Sequence, residues 1–391
     1  MNFMTTTVTT RMTGNLIADW WRSVDRWLLA AFVILLVGGV MLSFAASPPV
    51  AERIGLDPFH FVKRHALFLI PSAMVMFGAS LLTPRGVRRA SFIILIVSLV
   101  LMVAALFFGA EIKGARRWID IGPLNIQPSE FMKPCFIVIC AWLLAEKVKR
   151  ADVPGNLYAL ILLLIVTALL VAQPDLGQTM LVSTSWGGLV FMAGLSWLWI
   201  MVLGGVGVVG AAGAYFVFPH VASRINRFWT GQGDTFQTDR AKEAILNGGW
   251  FGKGPGEGTV KRLLPDSHTD FAFSVLAEEF GIIACIALAA IFAFIVLRGL
   301  SVALKQRDPF VRLAISGLVF IFGLQSIINM SVNLQLMPAK GMTLPFISYG
   351  GSSMMAIALS AGFLLALTRK RAENRSYTDQ LVQRTMVLHG A

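Results

Sequence analysis

The chain has 391 residues, of which 56% are hydrophobic and only 14% charged, with a formal net charge of +12 and a mean hydropathy of +0.71. A soluble domain carries about 25% charged residues, so an ordinary water-soluble fold is excluded. The basic residues gather at the ends of apolar runs, where they anchor helices and meet anionic headgroups; that placement argues against a nucleic-acid partner.

The apolar runs fall at about 27–47, 66–83, 90–110, 131–146, 157–172, 178–195, 197–218, 271–297, 310–332 and 350–368. Each is long enough to cross roughly 30 Å of hydrocarbon at about 1.5 Å per residue. In lipid the backbone satisfies its own hydrogen bonds, so such runs are helices. The first run is followed by Ala45-Ala46-Ser47, but it is too long for a signal-peptide core and is read as a span. The expected architecture is an all-α polytopic membrane protein of about ten transmembrane helices. Three segments follow: an N-terminal segment over 1–26, a membrane domain over 27–368 that includes a large loop over 219–270, and a tail over 369–391.

Orientation comes from Lys and Arg in the short loops. Arg11, Arg22 and Arg26, then Arg85, Arg88 and Arg89, then Lys147, Lys149 and Arg150, then Arg298, Lys305 and Arg307, and the tail from Arg369 to Arg384 mark one side. That side is read as cytoplasmic, with both termini on it. The connections at about 48–65, 111–130, 173–177, 219–270 and 333–349 then face outward. Cys135, Cys140 and Cys285 all sit inside apolar runs and read as small buried hydrophobes, with neither a disulfide framework nor a metal site implied.

Ionisable residues beside apolar spans are costly and therefore mark candidate functional positions. The first group is Gly114-Ala-Arg-Arg-Trp-Ile-Asp120 with Gln127-Pro-Ser-Glu-Phe-Met-Lys133. Pro128 opens a helix with Glu130 in its first turn, and Glu130 and Lys133 share a face. They read either as a self-neutralising pair at the membrane surface or as the wall of a polar cavity. Arg116 and Arg117 are either interfacial anchors or guanidinium forks for a phosphate. The second group is Gln173-Pro-Asp-Leu-Gly-Gln178, a short connector that holds Asp175 near the membrane, where it can cap the next helix.

The outer loop carries Arg224, Arg227, Arg240 and Lys242, then Gly248-Gly-Trp-Phe-Gly-Lys-Gly-Pro-Gly-Glu-Gly258. This is not a phosphate loop, because Lys253 precedes Gly254 rather than Ser or Thr and no strand leads into it. The glycines are expected to let the loop fold tightly against the membrane face. The loop ends in Leu264-Pro-Asp-Ser-His-Thr-Asp-Phe271, which brings Asp270 to the mouth of the eighth span. Asp270 or Thr269 reads as an N-cap, or Asp270 as a carboxylate able to take a proton from a substrate hydroxyl. Glu278 and Glu279 lie about 12–14 Å further along, too far to pair with Asp270 as in a glycosidase, and are expected to face the bundle interior. Finally, Asn329 and Asn333 precede Met337-Pro-Ala-Lys-Gly-Met-Thr-Leu-Pro-Phe-Ile-Ser-Tyr-Gly-Gly-Ser-Ser353, whose prolines and glycines predict irregular backbone at membrane depth. Every group falls on the outer side, which suits a substrate with a lipid tail and a polar head.

At these motifs, from about residue 114 to 353, the sequence resembles the SEDS family of bacterial cell-wall polymerases. Ala339-Lys340-Gly341 and Gly256-Glu-Gly-Thr-Val-Lys-Arg262 are more similar to its cell-division branch than to its elongation branch. The resemblance implies a ten-helix fold with a long periplasmic loop between the seventh and eighth helices. It implies a peptidoglycan glycosyltransferase of the inner membrane, at the division septum, that polymerises lipid II with inversion. By resemblance Asp270 is the catalytic base. Glu130, Lys133, Asp175, Gln178, His268, Ser348 and Tyr349 match family motif positions, while Arg116, Arg117, Lys133, Arg224 and Lys340 are the candidate cations for the departing diphosphate. Phe131-Met132 departs from the small or aliphatic residues usual there. Implied partners are a class B penicillin-binding protein (the cross-linking transpeptidase), other division proteins, lipid II and an undecaprenyl diphosphate-linked glycan. No cofactor is required by the sequence, although Mg or Mn could share the leaving group's charge. Two other readings stand beside this one: a lipid II flippase and a non-enzymatic division scaffold.

Overall fold

A computed structural model describes residues 16–112, 115–121, 124–150, 152–194, 197–217, 222–223, 226, 230, 236–264, 266–338 and 341–370. Helices coincide with all ten apolar runs. They are α2 (Arg26–Arg53), α3 (His60–Ser80), α4 (Pro84–Phe108), α5 (Pro128–Lys149), α6 (Gly155–Ala172), α7 (Leu176–Met192), α8 (Trp197–Val217), α10 (Ala272–Ala303), α11 (Pro309–Asn333) and α12 (Gly351–Thr368). Seven of the described helices, α2, α3, α4, α6, α10, α11 and α12, are long and apolar enough to cross a membrane. Two shorter helices add to them: α1 (Leu16–Ser23) and, inside the long loop, α9 (Phe236–Gly248).

Helix starts follow local chemistry. Asp25 Oδ1 accepts from the N–H groups of Trp27 and Leu28, Thr83 caps α4 ahead of Pro84, and Asp308 caps α11 ahead of Pro309. These side chains satisfy amides that have no partner inside the helix, and proline at the first helical position loses nothing. The centre of the bundle is α11 and α12, whose apolar windows are 78% and 83% buried against 28% for α3, α4, α6 and α10. Helix α5 packs against both. Its buried stretch from Met132 to Ala141 includes Cys135 and Cys140, so these cysteines are core residues as expected, and Cys285 is buried too.

One end of the bundle is stapled through its basic helix ends. Arg298 pairs with Asp25 at 3.0 Å, Lys149 with Asp308 at 3.0 Å, and Trp20 donates to Ser80 at 2.8 Å. Arg369 donates to Ser23 Oγ at 2.9 Å. The remaining connections converge at the opposite end: Lys261 reaches the Ala45 carbonyl, Arg117 the Gln173 carbonyl, Gln335 the Asp239 carboxylate, and the Tyr349 N–H the His268 carbonyl.

At the level of secondary structure the connection before α5 and the course of α10 differ from the sequence reading. The connection before α5 is a small antiparallel sheet, β1 (Ala110–Ile112), β2 (Ala115–Ile121) and β3 (Leu124–Ile126), with Glu111 opposite Arg116 and Asp120 opposite Asn125. And α10 breaks at Gly281, where φ is +79°. The carbonyls of Glu278 and Glu279 near this break accept from Lys253 and Gly254, and the Ile282 N–H donates to Gly249. The glycine-rich strap thus lies across the kink. A Cβ on Gly252 or Gly281 would overlap the backbone of Glu279 or Trp250, so glycine here does serve tight apposition of the loop, as its composition suggests.

Candidate active site

Two polar clusters meet at the loop-bearing end. The first is buried. Glu130 and Lys133 are each 4% exposed, and Lys133 Nζ lies 2.9 Å from Glu130 Oε2. Gln178 donates to Glu130 Oε1 at 2.8 Å, and Ser353 to Oε2 at 3.3 Å. Lys133 also reaches Gln325 Oε1 at 3.2 Å, while Gln325 Nε2 donates to the Thr343 carbonyl at 3.0 Å. The pair is therefore buried among side chains of the bundle rather than open to solvent. Its desolvation is offset by three further side chains, as a buried ion pair requires.

Beside it, Asp175 caps α7 by accepting from the Gln178 N–H at 3.3 Å and lies 3.5 Å from Arg117. Burial pushes the Asp175 carboxyl above the usual range, and Arg117 opposes the rise. Arg117 also donates to the carbonyls of Gln173 and Pro174. Neighbouring strand residues point to opposite faces, so Arg116 turns away, half exposed, to Glu111 at 3.5 Å. The two arginines do not form a single fork.

The second cluster surrounds Asp270. The N-cap position of α10 falls on Phe271 with no side-chain cap, which corrects the expectation that Thr269 or Asp270 caps this helix. Asn333 Oδ1 takes the Ser274 N–H at 3.2 Å instead. The Asp270 carbonyl accepts from Asn329 and Asn333, each at 3.0 Å. Gly341 lies against the carboxylate: a Cβ built there would stand 3.7 Å from Asp270 Oδ2. The His268 ring packs on Phe61 at 4.3 Å and Tyr349 at 5.6 Å between centroids. Burial raises the Tyr349 phenol, with Arg64 opposing. Ser348 Oγ accepts from the Leu344 N–H at 2.8 Å and so fastens the turn that carries Tyr349. Phe346, in the same turn, holds φ at +63°, a strained conformation for a bulky residue kept by burial of its ring against Phe32.

Arg224 and Lys340 lie outside the described residues. Glu278 and Glu279 do not face the bundle interior. Glu278 accepts the N–H groups of Thr259, Val260 and Lys261 at 2.8 Å and the Asn247 amide at 3.0 Å, and Glu279 pairs with Lys261. Both carboxylates anchor the loop that leads to Asp270. Sequence reasoning gave no role to Gln325, although it stands four residues before Asn329 and eight before Asn333. That i, i+4, i+8 polar stripe on an apolar helix was the signal available. Among the described residues no group of three or more His, Cys, Asp or Glu side chains could hold a metal ion.

The chain matches the family model of the cell cycle proteins FtsW, RodA and SpoVE over residues 26–373. It is 50% identical over 354 residues, 90% of this chain and 91% of the relative, to a Caulobacter vibrioides protein named "Probable peptidoglycan glycosyltransferase FtsW". Among solved structures it is similar to a chain of a peptidoglycan synthase complex described as coordinating polymerization and crosslinking (TM-score 0.76, 28% identity, 90% of this chain and 100% of that one). The rod shape determining protein RodA of Thermus thermophilus is also similar (TM-score 0.68, 28% identity, 90% and 99% covered). With most of its length matched by the family model and half of 354 aligned residues shared with a relative, this chain belongs to the FtsW/RodA/SpoVE family of cell cycle proteins.

Proposed function

We propose that this protein is the lipid II polymerase of a division complex, with Asp270 as its general base. The acceptor is the 4-hydroxyl of the terminal GlcNAc of lipid II. Its oxygen attacks the anomeric carbon of the lipid-linked glycan with inversion as its proton passes to the Asp270 carboxylate. The bond from that carbon to the diphosphate breaks, and undecaprenyl diphosphate leaves with the bonding pair. General-base assistance contributes about 10²–10⁴-fold; positioning and cationic stabilisation of the leaving group supply more.

The observation that carries this reading is the setting of Asp270. It sits at the end of the bundle opposite the basic staples, with its backbone fixed by two amides. By the positive-inside rule the basic end is cytoplasmic, which puts Asp270 on the side where glycan strands grow; with ten spans, an even number, both termini are then cytoplasmic. Lys133 is committed to Glu130 and Gln325 and Arg117 to the connector, so both act as framework. Lys340 is chain neighbour to Gly341, which approaches Asp270, and is the preferred cation for the diphosphate, with Arg224 and Arg116 as further contributors. No step is assigned to Mg or Mn. The partner is a class B penicillin-binding protein that cross-links the strands, a reading supported by the synthase complex to which the fold is similar.

The test is lipid II polymerisation by the purified complex. Wild type is expected to make glycan strands and Asp270→Ala none. Strand synthesis by Asp270→Ala at the wild-type rate would end the reading.

A further inference from the structure

We infer that Asn329 and Asn333 are positioning residues for Asp270, acting through its backbone. This rests on Asp270 being the base proposed above. The two amides stand one turn apart on α11 and are buried, 2% and 0% exposed. Their Nδ2 groups converge at 3.0 Å on one carbonyl, that of Asp270, which occupies both of its lone pairs.

Each amide also ties Asp270 to a second element. Asn329 donates to the Met342 carbonyl at 2.6 Å, next to the Gly341 that flanks the carboxylate. Asn333 Oδ1 accepts from the Ser274 N–H at 3.2 Å and the Ser274 hydroxyl at 2.7 Å. That contact closes the start of α10 from another helix, a duty a carboxylate at the helix mouth would otherwise perform. Gln325, one turn before Asn329, holds the Thr343 carbonyl and touches Lys133. One polar face of α11 therefore sets the register of the Asp270 turn against the 341–343 segment and joins both to the Glu130–Lys133 pair.

Asn333→Asp separates positioning from packing. It keeps the size of the side chain and an acceptor for Ser274 but replaces the donor to Asp270 by an oxygen. In the purified complex with lipid II, kcat is expected to fall by about 10²-fold, the cost of misplacing a reacting group by about 1 Å. KM stays near wild type; the melting midpoint falls, because a buried donor has become an acceptor facing a carbonyl, but the variant remains folded at the assay temperature. The acid limb of the pH–rate profile moves to higher pH, because a second carboxylate near Asp270 disfavours its ionised form. Asn329→Ala, which leaves the α10 cap intact, is expected to give the same kcat-only loss and covers the case in which Asn333→Asp does not fold.

Wild-type kcat in either variant overturns the inference. So does a loss of activity with an unmoved acid limb in Asn333→Asp. Asp270→Ala run alongside keeps the two ideas apart. If that variant polymerises normally, the general-base reading fails. If it is inactive while the asparagine variants keep wild-type kcat, only the positioning role fails.

Discussion

Replacing Lys133 by Met strands the Glu130 carboxylate in a site where it is 4% exposed. Removing one partner of a buried pair costs about 3–5 kcal/mol. Gln178 and Ser353 still donate to Glu130, so the lower part of that range applies to a charged carboxylate. Proton uptake sets a second bound. For a glutamate of ordinary pKa about 4.3, protonation at pH 7 costs about 3.7 kcal/mol, and at pH 5.5 about 1.6 kcal/mol. In Lys133→Met the folded state would hold a proton that the unfolded chain has released, so stability falls as pH rises above the ordinary glutamate value. The expected loss is therefore about 3 kcal/mol at pH 7 and about half that at pH 5.5. Denaturant unfolding of the purified protein at both pH values measures it. Glu130→Gln/Lys133→Met should recover most of the loss, since no charge is left unpaired. An equal loss at both pH values, or no recovery in the double variant, would refute the argument.

Other sites give sharp expectations. Arg117→Met removes the cation that opposes the burial-driven rise of the Asp175 carboxyl. The folded state then keeps that proton to higher pH, so the destabilisation, read by unfolding, is greater at pH 7 than at pH 4. Gly281→Ala forces a side chain into φ +79° against the Trp250 backbone and should cost more than the 1–3 kcal/mol or so of strain alone, seen as a lowered melting midpoint. Glu278→Gln can keep one oxygen for Thr259, Val260 and Asn247 but turns an amide toward the Lys261 N–H, so it should lose about 2–3 kcal/mol of loop anchoring and open residues 249–263 to limited proteolysis that wild type is expected to resist.

The helices were legible because the bilayer leaves the backbone little choice: a run such as Leu28–Leu42 or Phe310–Ile328 must close its own hydrogen bonds. Thr83-Pro84 and Asp308-Pro309, which start helices in the structure, carry capping chemistry that the sequence analysis left unused. The sheet at 110–126 was missed because two of its strands have only three residues and the seven of β2, Ala-Arg-Arg-Trp-Ile-Asp-Ile, do not alternate apolar with polar. For the candidate site, motif order brought Glu130, Lys133 and Gln178 onto the page, but their convergence joins α5, α7, α11 and α12 and is long-range. Residues with two plausible roles were the hardest. Asp270 reads as a cap from sequence, and only the approach of Asn333 from α11 removes that role. Glu278 and Glu279 were assigned to the interior by their place in an apolar run, whereas the break at Gly281 turns them toward the loop.

The most direct test of the central claim is the rate at which purified Asp270→Asn, assembled with its transpeptidase partner, elongates lipid II. The substitution keeps size and hydrogen bonding while removing the base. A fall of at least about 10²-fold in kcat with the variant still folded and still bound to its partner is the predicted result. Polymerisation at the wild-type rate would contradict the account.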